Sequence, residues 1–378
     1  MHNQVFLDYA SCTPVNEEVY KTYTKLVKDC YINSEAVYKP GLDVHRLVEK
    51  SRSMIAEMLH VKSEELIFTS GASEANSFAI KGYAFANAHK GKHLISSAME
   101  HSSVLHSLEQ LRDHFGFSLT LLPVNENGIV SLDDLKAAMR EDTILVSMMA
   151  VNNEIGSIQD ISAIAQIVHQ NAKAKLHVDA VQAFGKIDLH LSDCDMVSFT
   201  AHKIYGVKGC GILYRKKNIT LLPLINGGQQ ENGLRGGTLN AASCIVFAKT
   251  LRLALTKQQH HYDYVKKLNQ RVRVELEKMS DIRINSPRNA CPYILNFSCL
   301  VIGSEIMMNA FNEKGICVST QSTCSSRTKA PSHTLTAMGL DEKITYGAVR
   351  VSFSHLTTME EINYFIDSLK EIINEYRT

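Results

Sequence analysis

The sequence predicts an α/β protein with a large domain, built on a mostly parallel sheet flanked by helices, and a smaller α+β domain. Three observations predict this. From residue 65 to residue 214, short apolar runs alternate with amphipathic ones, the pattern of repeated strand–helix–strand units. Between Thr238 and Asn285 there is neither Gly nor Pro, so one or two long helices are expected to leave the first domain. Beyond Ser286 the pattern changes to short strands and helices. The chain ends in a helix capped by Thr358-x-x-Glu361, with an apolar face of Ile362, Phe365, Ile366, Leu369 and Ile373. The expected division is 16–255 for the large domain, and 1–15 with 256–378 for the small one.

Taken in order, residues 5–9 read as a short strand and 17–27 as a helix, with 30–41 irregular. A helix is expected from Asp43, with Val44, Leu47, Val48, Ile55, Met58 and Leu59 on its apolar face. Residues 65–69 form a strand that runs into Ser70-Gly71-Ala72-Ser73-Glu74-Ala75-Asn76 and a helix through Phe85. A small-residue turn into a helix N-terminus presents backbone N–H groups and a positive dipole end to an anion, so it reads as a phosphate cradle. It is neither a Walker A loop nor G-x-G-x-x-G.

The next strand, 93–97, leads to Met99-Glu100-His101-Ser102-Ser103 and a helix over 104–115. A histidine at that junction has the flat ring needed to stack on a planar cofactor. Residues 118–123 are a strand, and Ser131-x-x-Asp134 caps a helix. Residues 143–150 are a strand ending in Val151-Asn152-Asn153-Glu154-Ile155-Gly156. A helix over 161–174 precedes the strand that ends in Asp179. In open parallel sheets ligands gather at the carboxyl ends of strands. Ser70, His101, Asn153, Asp179 and Lys203 each follow an apolar run, so the sequence places all five on one rim.

Composition narrows the function classes. The chain has 378 residues, 45% of them hydrophobic, which suits a globular protein with a substantial core. Lys and Arg number 40 against 39 Asp and Glu, so no global charge argues for nucleic acid or an acidic partner. No apolar stretch is long enough to span a bilayer. The beginning, Met1-His2-Asn3-Gln4, lacks the build of a signal peptide, and a cytoplasmic protein is expected. There are 9 cysteines, an odd number, without CxxC spacing, and there is no HExxH, so neither disulfides nor a zinc site are expected.

The chemistry is expected at Lys203, in Ser198-Phe199-Thr200-Ala201-His202-Lys203-Ile204-Tyr205-Gly206. Burial, or crowding by a cation such as neighbouring His202, would lower its pKa and make it a nucleophilic amine. Asp179 ends the apolar strand Leu176-His177-Val178, and Gln182 follows. An acid and a lysine delivered to one sheet edge describe a pyridoxal-phosphate site. The acid keeps the pyridine nitrogen protonated, and the lysine carries the cofactor as an imine.

These residues resemble the cysteine desulfurase family, within the class V aminotransferases, nearly end to end. The resemblance runs through Leu7-Asp8-Tyr9-Ala10, Phe68-Thr69-Ser70-Gly71-Ala72-Ser73-Glu74, Glu100-His101, Val151-Asn152-Asn153-Glu154-Ile155-Gly156, His177-Val178-Asp179-Ala180-Val181-Gln182, Ala201-His202-Lys203-Ile204-Tyr205-Gly206, Arg235-Gly236-Gly237-Thr238 and Val349-Arg350-Val351-Ser352. It implies a fold-type I, pyridoxal 5'-phosphate-dependent homodimer that takes sulfur from L-cysteine and leaves L-alanine. By resemblance, Lys203 is the Schiff-base lysine, Asp179 the partner of the pyridine nitrogen, Gln182 the contact to the ring's phenolic oxygen and His101 the stacked imidazole. Ala72, Ser73, Thr200 and His202 resemble the phosphate cradle, and Thr238 would reach the phosphate of the neighbouring subunit. Asn153 and Arg350 resemble the groups holding the substrate carboxylate. Cys324 resembles the loop cysteine that takes the sulfur as a persulfide.

The chain departs from the family at Gln321, where a glycine is usual, at Asn33-Ser34-Glu35-Ala36-Val37-Tyr38, where Asn-Pro-x-x-x-His is usual, and at Ser11-Cys12. The implied partners are L-cysteine, a second copy of the chain, and sulfur-acceptor proteins of iron–sulfur cluster assembly or tRNA thiolation. No nucleic acid or membrane is expected as a direct partner. Other class V enzymes share Lys203 and Asp179, so an aminotransferase, a selenocysteine lyase or a cysteine sulfinate lyase stays open. A fold kept mainly as a docking scaffold for sulfur acceptors is the alternative from another class.

Overall fold

The computed structural model describes residues 4–320 and 331–376. Its strands are β1 (Val5–Phe6), β2 (Leu66–Thr69), β3 (His93–Ser97), β4 (Ser118–Leu122), β5 (Thr143–Met149), β6 (Lys175–Asp179), β7 (Met196–Thr200), β8 (Gly211–Arg215), β9 (Ile282–Ile284), β10 (Ile294–Cys299), β11 (Ile316–Cys317) and β12 (Ala348–Ser352). β2 to β8 form a 7-stranded sheet in the order β2-β8-β7-β6-β5-β3-β4. β8 runs antiparallel to both its neighbours, and every other pairing is parallel. β12, β10 and β9 form a 3-stranded antiparallel sheet, and β1 pairs in parallel with β11, which ties the start of the chain to its last third.

The large sheet is covered on both faces because its strands are apolar at both alternating positions. Ile67, Leu94, Leu145, Met196 and Leu213 pack on one side with Phe78, Tyr83, Leu108 and Leu111. Their sequence neighbours Phe68, Ile95, Val146, Val197 and Ile212 pack on the other side with Val48, Ile55, Val168, Phe247 and Leu251. A one-residue slip would exchange the faces without exposing either set, so side-chain shape and the rim loops must set the register.

Most elements lie where the sequence puts them, and three differ. The helix expected from Asp43 begins at Lys39 and runs to Met58. Pro40 sits in its first turn, where the N–H that proline lacks would have no partner inside the helix. The helix expected over 161–174 is Ile161–Val168. Asn171 Oδ1 accepts the Lys173 N–H at 3.0 Å, a local turn that competes with continued helix. The helix after the cradle carries a π-type segment, Phe78–Gly82, between Ala72–Ser77 and Tyr83–Asn87. The Gly- and Pro-free stretch is the helices Ala241–Thr256 and Gln258–Leu276, and the closing helix Met359–Glu375 has the expected Thr358–Glu361 capping box.

Candidate active site

Because β2, β3, β5, β6 and β7 all point the same way, the loops that follow them meet at one rim. A cavity of about 440 Å³ lies there, lined by residues from all five loops and by Arg350 of β12. Ala72, Ser73, His101, Asn153, Asp179, Gln182, Thr200, His202, Lys203 and Arg350 all line it. Thr238 does not. It is exposed, on the glycine-rich segment before Ala241–Thr256. Cys324 and Gln321 lie outside the described residues.

The cradle is glycine-dependent at two points. Gly71 has φ 157° and opens onto free space, so its backbone faces the cavity directly. Gly211, which opens β8, lies so close that a Cβ there would sit 2.7 Å from the Gly71 backbone. The turn is braced from behind: Glu74 accepts the Ser70 N–H at 2.8 Å and pairs with Arg235 at 2.9 Å.

Asp179 closes β6 and is 5% exposed. Its Oδ2 accepts from Asn76 Nδ2 at 2.8 Å and its Oδ1 from the Val181 N–H at 3.0 Å. Both donors are neutral, so a buried carboxylate faces the cavity with a cationic partner still to gain. His101 caps the helix Ser102–Phe115, its Nδ1 accepting the Ser103 N–H at 3.2 Å. That bond uses the Nδ1 lone pair and leaves the ring proton on Nε2. Burial lowers its pKa, which favours the neutral ring.

Lys203 Nζ donates to the carbonyls of Ala10, at 2.7 Å, and Ser11. Burial, and then the charges of Lys186 and Arg350, lower its pKa to about 8. Cationic crowding was expected from His202. The structure assigns it instead to Lys186 and Arg350, because His202 is itself pushed down to about 4 by burial and by the Lys203 charge. Arg350 is 2% exposed. It donates Nη2 to Asp8 Oδ1 at 2.7 Å and Nη1 to the Asn153 carbonyl at 2.9 Å, and its buried Nε has no hydrogen-bond partner.

These donors and acceptors fit pyridoxal phosphate: a backbone and hydroxyl cradle for an anion, an unpaired carboxylate for a protonated ring nitrogen, a flat imidazole, and an amine of lowered pKa. Sequence reasoning missed Asn76, Ser103, Lys186 and the Ala10 and Ser11 carbonyls. Asn76 and Lys186 had a signal: each lies on a helical turn with a site residue, four positions on from Ala72 and from Gln182.

The chain resembles known proteins along nearly its whole length. The chain matches the family described as aminotransferase class-V over residues 5–365. It is 40% identical over 385 residues to a protein of Dictyoglomus turgidum named cysteine desulfurase IscS, covering 100% of this chain and 96% of that one. A solved structure titled NIFS-like protein superposes with TM-score 0.92 at 32% identity, over 98% of this chain and 99% of that one. Another, titled SspA in complex with cysteine, gives TM-score 0.82 at 31% identity, over 94% of this chain and 100% of that one.

Proposed function

The chain belongs to the class-V aminotransferase family, and within it we propose that it is a pyridoxal-phosphate-dependent cysteine desulfurase converting L-cysteine to L-alanine. The observation that carries the reading is the meeting of Lys203, Asp179, His101 and Arg350 in one cavity, in a chain 40% identical to a relative named for that activity. Pyridoxal phosphate, when bound, supplies an electron sink for the pair released when the substrate's Cα–H bond breaks.

The chain's own residues do the rest. Ala72, Ser73, Thr200 and His202 would hold the anionic end, and Asp179 would accept from the ring nitrogen. The His101 ring, which lines the cavity, would cover one face. Lys203 would supply the amine that anchors the group and, as a free amine, would hold or move a proton at Nζ. Its pKa of about 8 keeps a usable fraction neutral near physiological pH. The buried Nε of Arg350 and the side chain of Asn153 receive the substrate carboxylate.

Sulfur leaves through Cys324. Its thiolate attacks the substrate sulfur, and an S–S bond forms as the Cβ–S bond breaks with its electron pair left on Cβ. Cβ takes up a proton to become the methyl group, and Cα regains the proton it lost, which completes alanine. Cys324 stands among Ser, Thr and Gln with Arg327 and Lys329 close in sequence, and nearby positive charge favours the thiolate. The persulfide is then handed to acceptor proteins, an iron–sulfur scaffold or a tRNA-thiolating enzyme. The working form is a homodimer, with Thr238 reaching the partner's phosphate site, and the setting is the cytoplasm. Among the described residues no helix is long and apolar enough to cross a membrane.

The test is the release of alanine and sulfide from L-cysteine, with and without reductant. One alanine per sulfide is expected, and Cys324→Ala should lose sulfide and persulfide while still binding cofactor and cysteine. Normal desulfuration by Cys324→Ala would identify a general lyase, and turnover only with an added keto acid would identify an aminotransferase.

A further inference from the structure

The candidate cavity has a neighbour with a buried cation that does not itself line it. Lys186 ends the turn after β6, where Phe184 N–H bonds to Ala180 O at 2.8 Å and Lys186 N–H to Ala183 O at 3.0 Å. One helical turn therefore separates Gln182 from Lys186, which places both side chains on one face. Lys186 is 7% exposed and Gln182 4%. Lys186 Nζ donates to Gln182 Oε1 at 2.6 Å, and Gln182 Nε2 donates to the Ala10 carbonyl at 2.8 Å. That carbonyl is also the one that holds Lys203.

An ammonium has three donors and no acceptor, so it can meet only the oxygen of an amide. A carbonyl accepts only, so it can meet only the amide nitrogen. Both neighbours of Gln182 therefore demand the same orientation. A flipped amide would set its N–H groups against an ammonium and its oxygen against a carbonyl. Ala10 takes one hydrogen of Nε2, and Gln182 lines the cavity, where the second is available.

Holding this lysine inside is costly. Burial lowers its pKa to about 8; the Cys291 thiol acts against this, and the Arg350 guanidinium and the nearby Lys203 amine act with it. None of these is a carboxylate, and the Tyr293 ring lies 5.7 Å from Nζ. Burying an ammonium without a carboxylate is unfavourable, and an apolar side chain of similar volume would pack there at lower cost. A merely structural role does not require the charge.

We propose that Lys186 is a positioning residue: its buried ammonium locks the Gln182 amide with its second N–H turned to the cavity, so that it meets an acceptor oxygen on the bound ring. The inference rests on the pyridoxal-phosphate reading given above and names the residue that sets one of its contacts.

The experiment uses two probes, pyridoxal phosphate and 3-deoxypyridoxal phosphate, in which hydrogen replaces the ring hydroxyl. Each is equilibrated by dialysis with cofactor-free wild type, Lys186→Met and Gln182→Leu, and the ratio of dissociation constants is read. Wild type should prefer the hydroxyl-bearing probe by about tenfold, the discrimination expected of one buried hydrogen bond. Lys186→Met, left with the Ala10 carbonyl as the one orienting neighbour, should lose part of that preference and fall between wild type and Gln182→Leu. A general loss of stability would weaken both probes alike, so a wild-type ratio in Lys186→Met overturns the proposal. Gln182→Glu leaves Lys186 in place and turns an acceptor to the cavity, so it should prefer the deoxy analogue. A retained preference for pyridoxal phosphate there also overturns the proposal, and that variant decides the matter if Lys186→Met does not fold. Wild type that binds neither probe would overturn the cofactor reading instead.

Discussion

The Lys203 amine is held by two main-chain carbonyls and carries a pKa lowered to about 8, by burial first and then by the Lys186 and Arg350 charges. A surface lysine would be almost wholly protonated at the same pH, so location makes this amine reactive. Lys203→Ala should lose both the visible absorbance of bound cofactor and all turnover, as read by a spectrum and an alanine assay on the purified variant. An unchanged spectrum would remove Lys203 from the role. Asp179 presents a carboxylate held by two neutral donors. Asp179→Ala should keep measurable cofactor but lose activity on the order of 100-fold, the usual effect of deleting a positioned electrostatic partner. Turnover near normal would make the acid structural.

At the scale of the element, the junction between β3 and the helix Ser102–Phe115 carries a buried carboxyl as well as His101. Glu100 Oε1 accepts from Ser97 Oγ at 2.6 Å and from the Met149 N–H at 2.9 Å, while its buried Oε2 has no partner. Burial, with a smaller push from the Asp179 charge, raises its pKa to about 8 against those two hydrogen bonds. An unfolded glutamate ionises near pH 4.5. Between those values the unfolded chain sheds a proton that the folded protein keeps, so stability falls as pH rises, by about 1.4 kcal/mol per pH unit. Above pH 8 the whole cost is present, and below pH 4.5 there is none. Glu100→Gln keeps the accepting oxygen and removes the charge. Its cofactor-free melting temperature should match wild type near pH 5 and exceed it by roughly 5 °C or more near pH 8. A difference independent of pH would show that Glu100 is not the group responsible.

At the scale of the whole molecule, apolar surface concentrates near the start of the helix Lys39–Met58. Val37 is 89% exposed, Tyr31 80% and Tyr38 57%, an unusual set to leave in water. Ser34 and Glu35 share a groove with Gln229, Gln230 and Leu239, so this surface adjoins the segment that carries Thr238. The proposed dimer would cover both at once. Light scattering should give twice the 42.1 kDa of the chain, and Tyr38→Glu should dissociate it with loss of activity. An active monomer would refute the assignment of Thr238 to a partner's site.

The order of strands and helices from residue 65 to residue 214, and five of the rim residues, were legible in the sequence alone. The reason is local: apolar runs buried on both sheet faces read as strands, and a polar residue just past each run falls at a strand end whatever the strand order. Residue 39 as a helix start and residue 168 as a helix end were not legible, because a proline tolerated in a first turn and an asparagine turn act against the apolar periodicity. What only the tertiary structure decided is which charges share a space. Lys186, Arg350 and Asp8 come from β6's turn, from β12 and from the chain's beginning, far apart along the sequence. Together they set the Lys203 amine, and Asp8 holds the Arg350 guanidinium. Sequence fixes a residue's type and its place on an element, whereas a pKa depends on desolvation and on distances between elements, which exist only once the chain has packed.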